Sequence, residues 1–198
     1  MKVGNARDRY VAIAARRFAE RGFDGASLAL IAKDAGVSRQ ALLHFFSTKE
    51  KLYAEVLQAL AKRLSAQIKA ITEQAPEARL VAYFNALAQD ALARPDDARL
   101  VIRALLESDP NARIWPLEAY LDELTDLALE TRRWRGATRD QALCGLYQLL
   151  GAIQYFAISG RTFAGMRGEP SKNAMADAFL ASVDQSARSF AGAGQAGA

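Results

Sequence analysis

The sequence predicts an all-α protein, and three observations carry that reading. Nearly every segment places apolar residues at three- and four-residue steps, the spacing of one helix face. No run alternates apolar and polar residues as a half-buried strand does. The five prolines are few for 198 residues, and Pro76, Pro95, Pro110 and Pro116 fall between periodic segments, where they punctuate rather than interrupt. With 51% apolar and 24% charged residues the composition is that of a soluble globular chain, long enough for a sizeable core in one or two domains.

The first helix is predicted over about 6–21, where Tyr10 or Val11, Ala14, Phe18 and Arg21 form a stripe, and Gly22 ends it. The loop GFDGAS follows, with Phe23 placed to plug the core. Ser27 reads as the N-cap of a short helix reaching Asp34 or Ala35, Gly36 turns the chain, and Ser38 caps a third helix of about seven residues. Ser47 with Glu50 has the spacing of a capping box and opens a long fourth helix. Leu52, Val56, Leu60, Leu64 and Ile68 continue its stripe to about Glu73. Further helices are expected at about 76–93, 96–108, 116–134, 138–160 and 172–191, with an irregular turn near 111–115. GRTFAGMRGEPS is expected to be a loop and residues 192–198 a disordered tail.

Charge is distributed unevenly. Residues 1–52 hold ten Lys/Arg against five Asp/Glu, whereas the remainder holds sixteen against seventeen. A basic head on a near-neutral body is the footprint of a nucleic-acid-binding module. The lone cysteine, Cys144, has no partner for an internal disulfide, which suits a reducing compartment. The first ten residues lack the apolar run of a secretory signal. Gln141 to Gly160 carries no charge over twenty residues, about a membrane span. Its three glutamines and three glycines favour instead a helix buried on two sides within a soluble assembly. No paired carboxylates, metal-ligand spacing, nucleophile motif or glycine-rich phosphate loop points to an enzyme or implies a cofactor.

Two short helices around a glycine turn, SLALIAKDAGVSRQALLHFF, have the form of a helix-turn-helix. Ile31, Ala35, Val37 and Leu42 are placed to lock them against Phe18 and Phe23, which leaves the N-terminal side chains of the second helix free for a major groove. The longer stretch FAERGFDGASLALIAKDAGVSRQALLHFFSTKEKLYAEVL resembles the DNA-binding domain of the TetR family of bacterial transcriptional regulators over roughly residues 6–57. The landmarks are Phe18–Ala19–Glu20, Gly22–Phe23, Ile31–Ala32, Ala35 to Ser38, Phe46 and Lys49 to Leu52.

That resemblance implies a cytoplasmic homodimer. A helix-turn-helix domain over 1–52, with the motif at about 27–46, would bind double-stranded operator DNA. A larger helical domain over 53–191 would bind a small-molecule effector, apolar or aromatic in kind, and supply the dimer contact. It implies a regulator, most simply a repressor released by its effector, with half-sites about one DNA turn, roughly 34–36 Å, or a multiple of it apart. The DNA-binding positions carried over are Ser27, Ser38, Arg39, Gln40, Leu43, His44 and Lys49. Arg39 suits a bidentate pair with guanine, and Gln40 an adenine contact. Leu43 stands where a tyrosine is usual and retains only the thymine-methyl contact. His44 matches an aromatic position at the DNA surface, simple packing being its other reading. Lys49 matches a phosphate-binding lysine beside the free amides of the fourth helix, and Ser27 has the same role at the second. Lys2, Arg7 and Arg9 are expected to extend the phosphate grip. Phe45 replaces a phosphate-contacting histidine, its role undecided between contact and core.

The helices at about 138–160 and 172–191 are expected either to pair with their symmetry mates as a four-helix interface or to close the monomer's own core. Effector-site residues stay unassigned among Tyr83, Phe84, Asn85, Gln89, Trp115, Tyr120, Tyr147, Gln148, Gln154 and Tyr155. The departures at Leu43 and Phe45 leave a second reading open, a helical protein–protein adaptor with a degenerate head.

Overall fold

The computed structural model describes residues 3–110, 112–113 and 115–193, with side chains from Ala6 onward. Lys2 and most of the expected tail lie outside the described residues. Regular structure among them is helical throughout. α1 is Val3–Gly25, α2 Leu28–Ala35, α3 Arg39–Phe46, α4 Lys49–Ala70, α5 Pro76–Ala93, α6 Asp96–Leu105, α7 Glu118–Glu130, α8 Arg139–Arg167 and α9 Glu169–Ala191. The chain forms two compact units. One comprises Met1–Lys62 with Arg99–Leu117, the other Arg63–Ala98 with Glu118–Ala198. The first unit therefore runs past residue 52 and takes in a segment some forty residues further along.

The first unit is built on three rings. Phe18 and Tyr53 meet edge-on at 4.8 Å, Phe23 lies 5.3 Å from Tyr53, and Phe18 stacks on Phe23 at 6.3 Å, all three rings being buried. Aromatic groups of this size dominate a small core, and these distances are the favoured ones. The buried Tyr53 hydroxyl has no hydrogen-bond partner, and burial pushes its pKa up to about 12. Ile31, Ala32 and Ala35 of α2 and Leu42 and Phe46 of α3 complete the core. Between those helices Gly36 takes φ 70°, ψ 32°, and its amide returns to the carbonyls of Ala32 and Lys33. A side chain would strain that left-handed turn.

The helical path breaks at Gly22, where φ is 73° and ψ −178°, the expected end of the first helix, although residues 23–25, expected in a loop, resume as helix. Other boundaries differ from the expected ones. Ser47 is not the cap of α4. It ends α3 with φ 63°, and Thr48 is the cap, its Oγ1 accepting the Lys51 amide at 3.2 Å. With Lys51 as the third helical residue no capping box forms; Glu50 is held below the usual carboxylate range first by its hydrogen bond with Thr48 and then by its own amide. The expected loop at 160–171 is helix on both sides of a single break. Gly160 and Gly165 stay inside α8, at roughly 1 kcal/mol each relative to alanine, and only Gly168, at φ 83°, turns the chain. Pro170 sits in the first turn of α9, where its missing amide costs no hydrogen bond.

In the second unit α5 packs against α7, α8 and α9. Leu80, Phe84 and Ala88 of α5, Leu124 and Ala128 of α7, Leu146 and Ile153 of α8 and Val183 and Ala187 of α9 are buried in this unit. Tyr83 and Tyr120 are buried there with their hydroxyls 2.6 Å apart, and desolvation raises the pKa of both. Trp134 donates Nε1–H to the Phe190 carbonyl at 2.8 Å, and the two rings lie 4.9 Å apart, tilted by 40°, over Gly145. A Cβ at Gly145 would lie 2.7 Å from Phe190, so this α8 glycine admits rings of its own chain.

A double-mutant cycle tests the tyrosine pair. Tyr83→Phe or Tyr120→Phe strands the surviving buried hydroxyl and should cost about 1–3 kcal/mol in urea unfolding. The double variant, with neither hydroxyl left, should cost clearly less than the sum; additive losses would mean the two groups are not coupled.

Candidate nucleic-acid interface

α3 is positioned from its ends and its inner face. Ser38, with extended φ −75° and ψ 155°, accepts the Ala41 amide on Oγ at 3.1 Å and so starts the helix. Leu42 and Phe46 anchor it in the core, while Arg39, Gln40 and His44 are exposed and Leu43 is half-buried. Neither α2 nor α3 carries an acidic residue in its first turn, so the partial positive charge of both N-termini is left unneutralised by a local carboxylate. Ser27 caps α2 in the same manner, its Oγ accepting the Ala29 amide at 3.2 Å. Each serine oxygen thus holds its own helix start and keeps its hydroxyl proton for an acceptor in solvent.

Lys49 opens α4 beside the same loop. Its Nζ lies 4.4 Å over the Phe23 ring and 3.5 Å from the Asp24 carbonyl, which brings the start of α4 next to the segment leading into Ser27. Ser27, Ser38, Arg39, Gln40, His44 and Lys49 all belong to the first unit, Lys49 being half-buried and the others exposed.

Other basic residues serve the fold. Arg7, expected to reach phosphate, is ion-paired with Glu55 of α4, donates Nη1–H to the Phe45 carbonyl at 2.9 Å and lies 4.8 Å over the Phe46 ring. The pairing raises its pKa, first through the Glu55 hydrogen bond. Its guanidinium thus fastens α1 to the end of α3 and to α4. Arg9 donates to the Ala35 carbonyl at 3.3 Å, at the end of α2. Arg17 pairs with Asp34 and Glu20, and Arg16 and Lys33 are exposed.

Phe45 is a packing residue: its half-buried ring meets Tyr10 of α1 edge-on at 5.2 Å and His44 at 6.1 Å. The substitution that left its role open is matched by a tyrosine across the interface, a pairing invisible at a separation of thirty-five residues. No local signal favours Thr48 over Ser47 as the cap of α4, since the Glu50 spacing suits Ser47 and Lys51 cannot accept the return bond a capping box needs.

Comparison with known proteins agrees with this geometry. The family profile described as bacterial regulatory proteins, tetR family, matches residues 11–56. The chain is 33% identical over 114 residues to the HTH-type transcriptional regulator RutR of Escherichia coli strain K12, covering 56% of this chain and 54% of RutR. It therefore spans about half of RutR's length. It is 31% identical over 139 residues to the HTH-type transcriptional repressor AcnR of Corynebacterium efficiens, covering 68% of this chain and 70% of AcnR. Among solved structures, the fatty acid degradation regulator FadR of Bacillus halodurans superposes with a TM-score of 0.73 at 18% identity, over 91% of this chain and 97% of that one; at that identity it speaks for the fold alone.

Ser38 tests how α3 is held. Ser38→Ala removes the side-chain N-cap of an eight-residue helix and should lower stability by about 1 kcal/mol in thermal unfolding, with Ser38→Gly costing a few tenths. Equal stability of Ser38→Ala and the parent would mean the cap contributes nothing.

Proposed function

Because the chain belongs to the TetR family of bacterial regulatory proteins, we propose that it is a cytoplasmic, ligand-responsive transcriptional repressor that grips operator DNA as a homodimer. The observation that carries this reading is α3, whose buried residues Leu42 and Phe46 turn Arg39, Gln40 and His44 outward on an uncompensated, basic helix start. Arg39 and Gln40 read base edges in the major groove. Leu43 touches a thymine methyl, and His44 contacts DNA beside it. Ser38, Ser27 and Lys49 bind phosphate, the last two aided by the free amides of α2 and α4. The adaptor reading loses one of its two supports, since Phe45 is accounted for by Tyr10 within a well-packed head.

The effector is assigned to the second unit, whose buried side chains are mainly apolar with polar groups such as the mutually bonded Tyr83–Tyr120 pair among them, an interior suited to an apolar or aromatic molecule. The dimer forms through the outer faces of α8 and α9. By length and composition α8 meets the threshold for crossing a membrane, yet only 28% of its apolar window is buried within the chain. Leu146, Leu150, Ile153 and Ala157 close its own unit, leaving Tyr147, Gly151, Ala152 and Tyr155 outside. Apart from its neighbours and its own helix backbone, nothing among the described residues comes within 4 Å of where a Gly151 Cβ would lie, which leaves room for close approach of a second helix. α9 adds the exposed small residues Ala174, Ala178, Ala181 and Ser182. Exposed Asp177 interrupts that α9 stripe, but the α8 face from Tyr147 to Tyr155 carries no charge, and such a face is covered most simply by its symmetry mate.

Two experiments test this reading. With a duplex enriched by the protein from a random-sequence pool, Arg39→Ala should lose about 1–3 kcal/mol of discrimination at one base pair. Lys49→Ala should instead weaken all sequences alike and lower the salt slope by about 1. Parent-like binding by both variants would defeat the assignments, and no salt-sensitive, sequence-selective binding by the parent would defeat the function. For the dimer, Tyr155→Glu places a charge on the exposed α8 face and should give monomers in sedimentation equilibrium; an intact dimer would move the interface elsewhere.

A further inference from the structure

The first unit includes Arg99–Leu117, and one side chain of that segment binds α1 just before its break at Gly22. Arg103, in the second half of α6, donates Nε–H to the Ala19 carbonyl at 2.8 Å and Nη2–H to the Glu20 carbonyl at 2.7 Å. These acceptors belong to the last turn of α1 before Gly22, where φ 73° and ψ −178° leave the helical path. Carbonyls at a helix end carry partial negative charge and lack intrahelical donors. A guanidinium, with its fixed fork of N–H groups, satisfies two of them at once as a lysine does not. The approach is close: a Cβ at Gly22 would stand 3.1 Å from Nη1 of Arg103, so glycine serves both the turn and the cap.

The chain leaving this cap leads to the proposed phosphate contacts. Phe23 enters the ring cluster with Phe18 and Tyr53. The Asp24 carbonyl and the Phe23 ring hold the ammonium of Lys49, and Ser27 follows as the cap of α2. The direction in which the chain exits α1 therefore sets where Phe23 seats, and through it the start of α4 and the start of α2. None of these links passes through α3.

We infer that Arg103 is a positioning residue for DNA binding: by capping α1 at Ala19 and Glu20 it places the 22–26 loop, and with it Lys49 and Ser27, without itself touching DNA. The inference rests on the DNA-binding reading above. It separates two contributions within one head, because base choice lies with Arg39 and Gln40 on α3, whereas the phosphate grip of α2 and α4 depends on a residue more than fifty positions after Lys49.

The test uses the full chain and the duplex it selects from a random pool. Arg103→Ala should weaken binding about tenfold and lower the salt slope by about 1 to 2, as phosphate contacts are lost, while the order of preference among single-base variants of the duplex is unchanged. Arg103→Lys, which keeps the charge but not the fork, should fall between Arg103→Ala and the parent, and it carries the test should the alanine variant not fold. If Arg103 acts through Lys49, Arg103→Ala combined with Lys49→Ala should bind more tightly than the product of the two single losses predicts. A variant that melts earlier yet keeps the parent's affinity and salt slope would overturn the inference, as would strictly multiplicative losses in the pair. A parent that selects no duplex would overturn the DNA-binding reading and this inference with it; a parent that binds selectively beside an unaltered Arg103→Ala would overturn the inference alone.

Discussion

An eight-residue helix does not persist by itself in water, because its nucleation cost is not recovered over two turns. α3 is such a helix, and everything proposed for this protein depends on its being held rigid from one side only. Leu42 and Phe46 supply the apolar grip, Ser38 the start, and Arg7 a bond to the Phe45 carbonyl near the end. Phe45 adds an edge contact with Tyr10. With the inner face used up in this way, the remaining side chains have nowhere to go but outward. The same packing that makes the helix stable makes its polar face available.

The rest of the head extends this division of labour. Basic residues are abundant in the first quarter of the chain, yet not all of them are free cations. Arg7, Arg9 and Arg17 satisfy carboxylates or helix-end carbonyls within the first unit. Exposed ion pairs of this sort contribute little individually, but Arg7 and Arg9 also tie α1 to α2, to the end of α3 and to α4. Arg16, Arg21 and Lys33 are exposed as well as Arg39, so neither net positive composition nor exposure singles out Arg39 and Lys49; their places at the starts of α3 and α4 do.

Where signals were local, the sequence was legible. Ser27, Gly36 and Ser38 each mark a helix boundary through a bond to a residue at most four positions away, and the structure has them where expected. The stripe from Leu52 to Ile68 is buried throughout. Reading failed where two local signals competed or a contact was distant. Ser47 and Thr48 both suit a cap, and the choice fell to Thr48 because Ser47 adopts a positive φ to end α3. Gly160 and Gly165 looked like a loop because composition cannot weigh their cost against the α8–α9 contact, where Phe156 stacks on Phe179 at 4.0 Å. Phe45 with Tyr10, Arg7 with Glu55 and Arg103 with α1 join residues between thirty-five and eighty-four positions apart, and no periodicity records such pairs.

The central claim is that DNA lies against one defined face of the first unit. Hydrogen exchange followed by mass spectrometry, on the protein free and bound to its selected duplex, tests it most directly. The account predicts new protection in segments 27–30, 38–44 and 48–51. Protection confined to other segments, or none on addition of a duplex that binds, would contradict it.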